Sequence, residues 1–240
     1  MSTKSKEPSP EPNIEFEVSD FSISKDSKTS LQSIKILCVM KAGGCYTPQY
    51  VNNLYRAIGR HAGSIPFEFI CLSDLEWSAD YKIIKLENNW DGWWPKIEMF
   101  KHAGPVLTMD LDTLIVDDIT PLLELPLKCA SNEIYMMKAP NPKRTFTTSI
   151  MAWNEDFTQV YDNFNYGRDI KYDWDQFYIL HELEKTKTVI HPIQEEISGI
   201  YSYKRQWIGK DKTDTRIIWF HGRPRLHSVK TPYIRNNWDV

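Results

Sequence analysis

Asp110 and Asp112 stand near the end of an apolar run, "GPVLTMDLDTLIVDD" at residues 104–118. Carboxylates inside such a run are costly to bury unless something positive meets them. If the run is one extended strand, residues two apart share a face, so both carboxylates project together while Leu111 faces the other way. Two carboxylates this close repel unless a proton or a cation comes between them. Carboxylate and phosphate oxygens together make the usual shell of magnesium or manganese. The spacing therefore suits a bridge between protein, divalent metal and a diphosphate. A solvated turn after a strand is the plainer reading of the same residues. Asp117 and Asp118, beyond "TLIV", are expected to open a turn and cap the next helix.

The elements that must hold this pair can be read from patterning. "IKILCVM" is a short continuous apolar run, as expected of a strand covered on both faces. "KAGGCY" reads as a glycine turn, and "TPQYVNNLYRAIGRHAG" as a helix with Thr47 as N-cap and Pro48 at its first position. Val51, Leu54, Tyr55 and Ile58 fall on one face of it. "FEFICLSD" and "YKIIKLE" read as strands, "PKIEMFKHAG" as a short helix, and "PVLTMDLDTLIV" as a fourth strand. After Pro121 the pattern mixes strand-like "EIYMMKA" and "TTSIMAWN" with helix-like "DFTQVYDNF" and "WDQFYILHEL". Strands alternating with helices predict an α/β fold with a mostly parallel sheet, helices on both faces and a ligand beyond the carboxyl ends of the strands. That is where Asp110 and Asp112 fall.

The 240 residues suit one sizeable core. The first 33, rich in Ser, Lys, Glu and Pro, read as a mobile tail in which "IEFEVSDFSI" could add an edge strand. Residues 34–240 read as a single catalytic domain. With 9 Trp and 12 Tyr the chain has aromatic surface to spare, for a core or for stacking on sugars and bases. A formal charge of -3 excludes a global basic field for nucleic acid, although Lys204, Arg205, Lys210, Lys212, Arg216, Arg223 and Arg225 form a basic stretch. Cys38, Cys45, Cys71 and Cys129 form no CxxC pair and read as reduced core residues. No signal peptide, membrane-length apolar run or N-x-S/T sequon is present, so a soluble, cytoplasmic protein is expected.

Several ordered blocks, from about Ile34 to Val229, resemble bacterial and phage-type glycosyltransferases of the GT-A fold, related to glycosyltransferase family 8. They are "ILCVMKAGGCYTPQYVNNLYRAI", "FEFICLSD", "WDGWWPKIEMFK", "GPVLTMDLDTLIV", "FTTSIMAWN", "DWDQFYI" and "WFHGRPRLH". The resemblance implies transfer of a sugar from a nucleotide-sugar donor, UDP-linked, with retention of anomeric configuration. It implies that Asp110 and Asp112 bind Mn2+ or Mg2+ at the donor diphosphate, with Leu111 between them. In the last block Trp219 occupies the register of the family's metal-binding His. His221, two residues on, is then the expected third ligand, its alternative being a structural histidine against aromatics. Gly222 and Arg223 join the donor site, and Arg225, in place of the family's Lys, pairs with phosphate.

The resemblance further implies that Lys96 contacts the donor, its plain alternative being a solvated surface lysine. Val39, Lys41, Gly44 and Tyr46 match the segment that holds base and ribose. Asp74 could accept hydrogen bonds from the base or cap the segment after it. Thr148 and Ser149 match donor-sugar contacts. Asp175 would orient sugar hydroxyls and Gln176 lie near the anomeric carbon, while Asp173 or Asp175 could equally cap a helix. Among Trp90, Trp93 and Trp94 at least one should reach the cleft, and Trp93 and Trp94 are the candidates for the acceptor. The acceptor itself is open between a glycan, a lipid-linked saccharide, a protein side chain and a modified DNA base. The rivals are a sugar nucleotidyltransferase, whose Gly-rich basic loop "KAGGCYTPQ" fits poorly, and an inactive carbohydrate- or nucleic-acid-binding module of the same fold.

Overall fold

The structure is a computed structural model that describes residues 32–141, 145–209 and 213–238. The expected tail at residues 1–33, its possible edge strand, and Lys210 and Lys212 lie outside the described residues, apart from Gln32 and Ser33.

The run IKILCVM forms β1 (Ile34–Met40). Its residues alternate between two cores, Ile36, Cys38 and Met40 in one and Leu37 in the other. Such a strand has no solvent face, which accounts for its unbroken apolar character. Around it lie β2 (Phe67–Ser73), β3 (Lys82–Lys85) and β4 (Val106–Met109). After the short β5 (Thr113–Ile115), β6 (Glu133–Lys138), β7 (Phe146–Trp153) and β8 (Val189–Pro192) complete the main sheet. Its order is β3-β2-β1-β4-β7-β6-β8. The pairs are parallel except those that β7 makes with β4 and β6, so β7 alone runs against the rest.

Helices cover both faces. α1 (Pro48–His61) and α2 (Thr120–Lys128) pack into the core that contains Ile36 and Cys38. A 3₁₀ segment at Trp94–Lys101, α3 (Thr158–Asp162) and α5 (Asp175–Lys185) pack into the other, and the single-turn α4 (Tyr166–Asp169) lies between the last two in sequence. In α1, Val51, Leu54 and Ile58 are buried as their spacing predicts, with Tyr55 only half-buried. Thr47 takes the N-cap position without a side-chain cap bond.

Three expectations are corrected. First, "PVLTMDLDTLIV" is not one strand. It breaks at Asp110 into β4 of the main sheet and β5 of a second, three-stranded sheet of order β5-β10-β9. The partners β9 (Ile200–Ser202) and β10 (Ile217–Trp219) are too short to stand out as apolar runs. Second, "PKIEMFKHAG" forms the 3₁₀ segment and no α-helix. Third, Cys45 is exposed on the turn after β1, whereas Cys38, Cys71 and Cys129 are buried free thiols.

The loop before the 3₁₀ segment is held by one carboxylate. Glu98, only 3% exposed, accepts from Glu87 N at 2.9 Å, from Asn88 N at 2.8 Å and from Asn88 Nδ2 at 3.1 Å. Hydrogen bonds to a charged group contribute more than neutral ones, and orphaning buried donors adds to the loss. Glu98→Ala should therefore cost about 3 kcal/mol in urea denaturation. An unchanged midpoint would show that the loop is held by other contacts.

Candidate active site

Both sheets present their ends at the turn that joins them. Thr113 N donates to Asp110 O at 3.2 Å, closing a tight turn over Leu111, and Asp110 N donates to Ser149 O at 2.8 Å. The two carboxylates thus sit on a turn, which corrects the expectation of a shared strand face. On the far side of the turn Phe220 N donates to Asp112 O at 2.9 Å, fixing Asp112 to the end of β10.

β7 carries a bulge at this level. Met136 pairs with Met151 but Met137 pairs with Thr147, so Thr148, Ser149 and Ile150 have no partner on β6. A bulge re-aims side chains out of the ladder. Here Thr148 Oγ1 donates to Asp175 Oδ2 at 2.9 Å, and Thr147 and Ser149 share a 3.2 Å hydroxyl contact. Asp175 opens α5, whose N-cap is Trp174, so neither Asp173 nor Asp175 takes the cap position.

Lys96 binds these elements together. Its Nζ stands 2.6 Å from Asp110 Oδ1 and 3.5 Å from Asp175 Oδ2, and it donates to Thr148 Oγ1 at 3.2 Å. With its side chain 11% exposed, it is no solvated surface lysine. Burial works to lower its pKa, but Asp110 and Asp175 outweigh that and hold it above the ordinary lysine range. A second chain of contacts reaches Asp112: Arg225 Nη1 donates to Tyr46 OH at 2.8 Å, and Tyr46 OH donates to Asp112 Oδ2 at 2.7 Å. Burial and then the Asp112 carboxylate push the Tyr46 phenol far up.

Even so three carboxylates, Asp110, Asp112 and Asp175, share two cations, Lys96 and Arg225. Burial and then Asp110 push Asp112 up to about 7, despite Tyr46, Lys96 and Arg225. Burial and the nearby Asp175 also raise Asp110 above its usual range against the pull of Lys96. A buried carboxylate whose charged form is disfavoured in this way is one that a cation would stabilise. Hard oxygens are also the donor set that magnesium and manganese prefer. The pair thus fits a divalent cation held by Asp110 and Asp112 together with ligand oxygens. Among the described residues no group of three His, Cys, Asp or Glu is close enough to hold a metal. His221 comes just after β10, but its Nε2 shares a 2.8 Å hydrogen bond with Ser202 Oγ and its ring lies 4.6 Å from that of Trp219.

A cationic rim adjoins this acidic floor. Cys45, Arg223, Pro224, Arg225, His227 and Ser228 line a pocket of about 410 Å³ beside Tyr46. Gly222 has φ +67, and the place where a Cβ would stand is 3.1 Å from Lys204 Nζ, so the glycine leaves room for that ammonium. Lys204 was legible only as one of many basic residues. A larger hollow of about 660 Å³, lined by Phe67, Tyr81 and Lys82 among others, lies at the amino ends of β2 and β3, away from these groups.

The remaining expected residues are dispersed around the turn after β1. Asp74 accepts from Ala42 N at 2.8 Å and from Lys41 Nζ at 3.0 Å, and Lys41 also donates to Asn89 Oδ1 at 2.6 Å. Burial alone would raise Asp74, but these donors hold it below the usual range. Asp74 thus ties the end of β2 to the turn after β1. In that turn Gly43, at φ +86, supplies the left-handed residue, and Gly44 is exposed with open space around it. Val39 is half-buried near the end of β1. Gln176 is buried, and among the described residues its Nε2 has no hydrogen-bond partner. Trp94 is core, 6% exposed, while Trp93 is 44% exposed.

No protein-family model matches the sequence, and no curated protein matches it. Solved structures do. The chain is similar to the glycosyltransferase GlyE of Streptococcus pneumoniae TIGR4, with a TM-score of 0.62 and 11% identity over 87% of this chain and 60% of that one. It is similar to the galactosyltransferase LgtC in complex with donor and acceptor sugar analogs, with a TM-score of 0.54 and 12% identity over 80% of this chain and 89% of that one. A third is a glycosyltransferase involved in the glycosylation of the major capsid of PBCV-1, at 0.51 and 11% over 87% of this chain and 100% of that one. The chain spans 60% of the length of the GlyE structure. At these identities the likeness establishes the fold, which is GT-A.

Proposed function

We propose that the chain is a metal-dependent glycosyltransferase that moves a sugar from a nucleotide-sugar donor, UDP-linked, to an acceptor hydroxyl with retention. The observation that carries this reading is the convergence of Asp110, Asp175 and Thr148 on Lys96, with Asp112 and Arg225 joined through Tyr46. An acidic floor beside an arginine-lined pocket suits a metal-bound diphosphate better than it suits either partner alone.

In this reading Asp110 and Asp112 hold Mn2+ or Mg2+, which when bound supplies Lewis-acid stabilisation of the charge on the departing diphosphate. Arg225 and Arg223 bind phosphate oxygens, with His221 and Gly222 beside them. Lys41, Gly44, Tyr46, Val39 and Asp74 border the nucleoside. Asp175, steadied by Thr148 and Lys96, accepts hydrogen bonds from donor hydroxyls. The orphaned Gln176 amide, one residue on, supports a place for the sugar there, since buried donors in native proteins find partners. The acceptor oxygen bonds to the anomeric carbon as the bond from that carbon to the diphosphate oxygen breaks. The acceptor proton passes to the diphosphate on the same face, so no covalent enzyme intermediate is needed. Among the described residues no helix is long and apolar enough to cross a membrane.

Incubation with Mn2+ and a panel of UDP-sugars, followed for released sugar and UDP, tests the reading. Turnover of at least one donor, abolished by EDTA, is expected. A protein that instead converts UTP and a sugar 1-phosphate to a UDP-sugar would be a nucleotidyltransferase. Metal-dependent UDP binding without sugar release would leave a binding module.

A further inference from the structure

Among the exposed large apolar side chains, two are indoles that face each other. Trp93 is 44% exposed and Trp174 41%, yet their rings lie parallel within 10°, with centroids 5.0 Å apart. They come from distant stretches of chain. Trp93 immediately precedes the 3₁₀ segment that carries Lys96, and Trp174 immediately precedes α5 and Asp175. The stretches that meet at the Lys96–Asp175 ion pair therefore meet again as a stacked indole pair. The neighbouring tryptophans find ordinary core partners, Trp90 and Trp94 packing on Phe164 at 4.7 and 5.3 Å. The molecule thus has room for buried indoles and leaves these two partly exposed, which is the informative case for apolar residues when they adjoin.

Each of the pair comes directly after a residue in the left-handed region, Gly92 at φ +65 and Asp173 at φ +40. For a non-glycine residue that conformation is uncommon, and aspartate adopts it more readily than most. The flanking groups are polar: Asp91 and Asp173 are exposed carboxylates, and the exposed Lys171 lies over the Tyr172 ring at 5.5 Å. Stacked in this way the rings cover each other's inner faces, so the ledge they offer is an outer indole face, and an outer face edged by carboxylates suits a neutral, hydroxylated ring. The C–H face of such a ring stacks on indole, and its hydroxyls donate to carboxylates. An anionic lipid surface or a nucleic-acid backbone would meet those carboxylates at an electrostatic cost.

We propose that the Trp93–Trp174 pair is the acceptor subsite and that its ligand is a pyranose ring of a neutral saccharide. The proposal rests on the transferase reading for the word acceptor, and on the ledge alone for the saccharide. It selects a glycan over a protein side chain, a lipid surface or a DNA base.

The test uses the full chain and a probe panel of methyl pyranosides and disaccharides of glucose, galactose, mannose and N-acetylglucosamine. Saturation-transfer NMR and tryptophan fluorescence report binding. At least one probe should bind the unaltered protein, and Trp174→Ala and Trp93→Ala should each weaken it at least tenfold. Trp174→Phe should recover most of the affinity because a ring remains. Tyr233→Ala, an exposed aromatic in the last helix, should leave it unchanged. In transfer assays with that probe, the indole losses should raise the acceptor KM far more than they lower kcat. Melting curves and UDP–Mn2+ binding check that the alanine variants are folded. Absence of binding by every probe, binding retained in both alanine variants, or preferential binding of anionic vesicles at the indoles overturns the proposal. UDP-sugar turnover with no saccharide binding removes the subsite and keeps the transferase. Saccharide binding that vanishes with Trp174→Ala in a protein that turns over no nucleotide sugar keeps the site and removes the transferase.

Discussion

Asp112→Asn is expected to lower Mn2+-dependent turnover of the donor by about a thousandfold, a loss of roughly 4 kcal/mol of transition-state stabilisation, while the fold is kept. Asparagine has the same shape and can still accept from Tyr46 OH, the 2.7 Å bond that fixes the side chain. What it lacks is the charge that, in the proposed function, holds a cation against a diphosphate. Stability should move the other way in metal-free protein. The folded-state pKa of Asp112 is raised to about 7, so the native state keeps a proton that the unfolded chain gives up near its ordinary value. The favourable contribution is complete below that ordinary value and is lost as pH rises through about 7. Above pH 7 the carboxylate is a liability, and the asparagine variant should melt higher than the unaltered protein. Calorimetry at pH 5 and 8 with EDTA, beside a turnover assay with Mn2+, checks both halves. Full turnover in the variant would remove Asp112 from the site. A variant that melts lower at pH 8 would show that the carboxylate is already compensated by Arg225.

Lys96→Met should be the most destabilising single change at the site. The ammonium lies within 3.5 Å of both Asp110 and Asp175, and Asp175 is nearly buried. Breaking a buried ion pair from one side leaves charge without compensation and costs about 3–5 kcal/mol, less here because Asp110 is partly exposed. A loss of roughly 2–3 kcal/mol corresponds to about 5–10 °C in the melting temperature of a domain this size. Methionine preserves the stem packing, so the loss reports on charge. Saturating Mn2+ should return part of it, because a divalent ion supplies the charge that was removed. Equal melting temperatures for variant and unaltered protein would mean that Lys96 rests on the carboxylates without holding them. A loss that Mn2+ leaves untouched would separate the lysine from the metal site.

The sequence disclosed this site unevenly, for physical reasons. β1, β2, β3 and α1 were legible because each keeps one periodicity over four or more residues. The residues 106–116 misled because hydrophobicity records burial and not which sheet buries a residue. Val106–Met109 and Thr113–Ile115 are equally covered, one in each sheet. The second sheet escaped notice because strands of three residues are shorter than any pattern that alternation can establish. The N-cap of α2 is Ile119, so neither Asp117 nor Asp118 takes the cap position, although the Asp118 carboxylate accepts from Thr120 N and Oγ1 at the start of that helix. Lys96 was identifiable as a candidate but not as the centre of the cluster. Its place depends on a bulge in β7 and on the first residue of α5, which lie far from it in the chain. Cys45 was misjudged because small thiols are usually buried, and its neighbours in a glycine turn carried the better signal.

The turn at Asp110–Asp112 works as a seam. One end of it is stitched to the main sheet through Ser149, the other to the small sheet through Phe220, and Leu111 is the only residue between, 4% exposed and packed inward. An aspartate spacing that looks chosen by chemistry is therefore also dictated by carpentry. One residue more or less at the joint would throw the strands on at least one side out of register and turn their buried faces outward. The residues that carry the two carboxylates are also the joint between the sheets, so a ligand bound by this pair would tie the two sheets together.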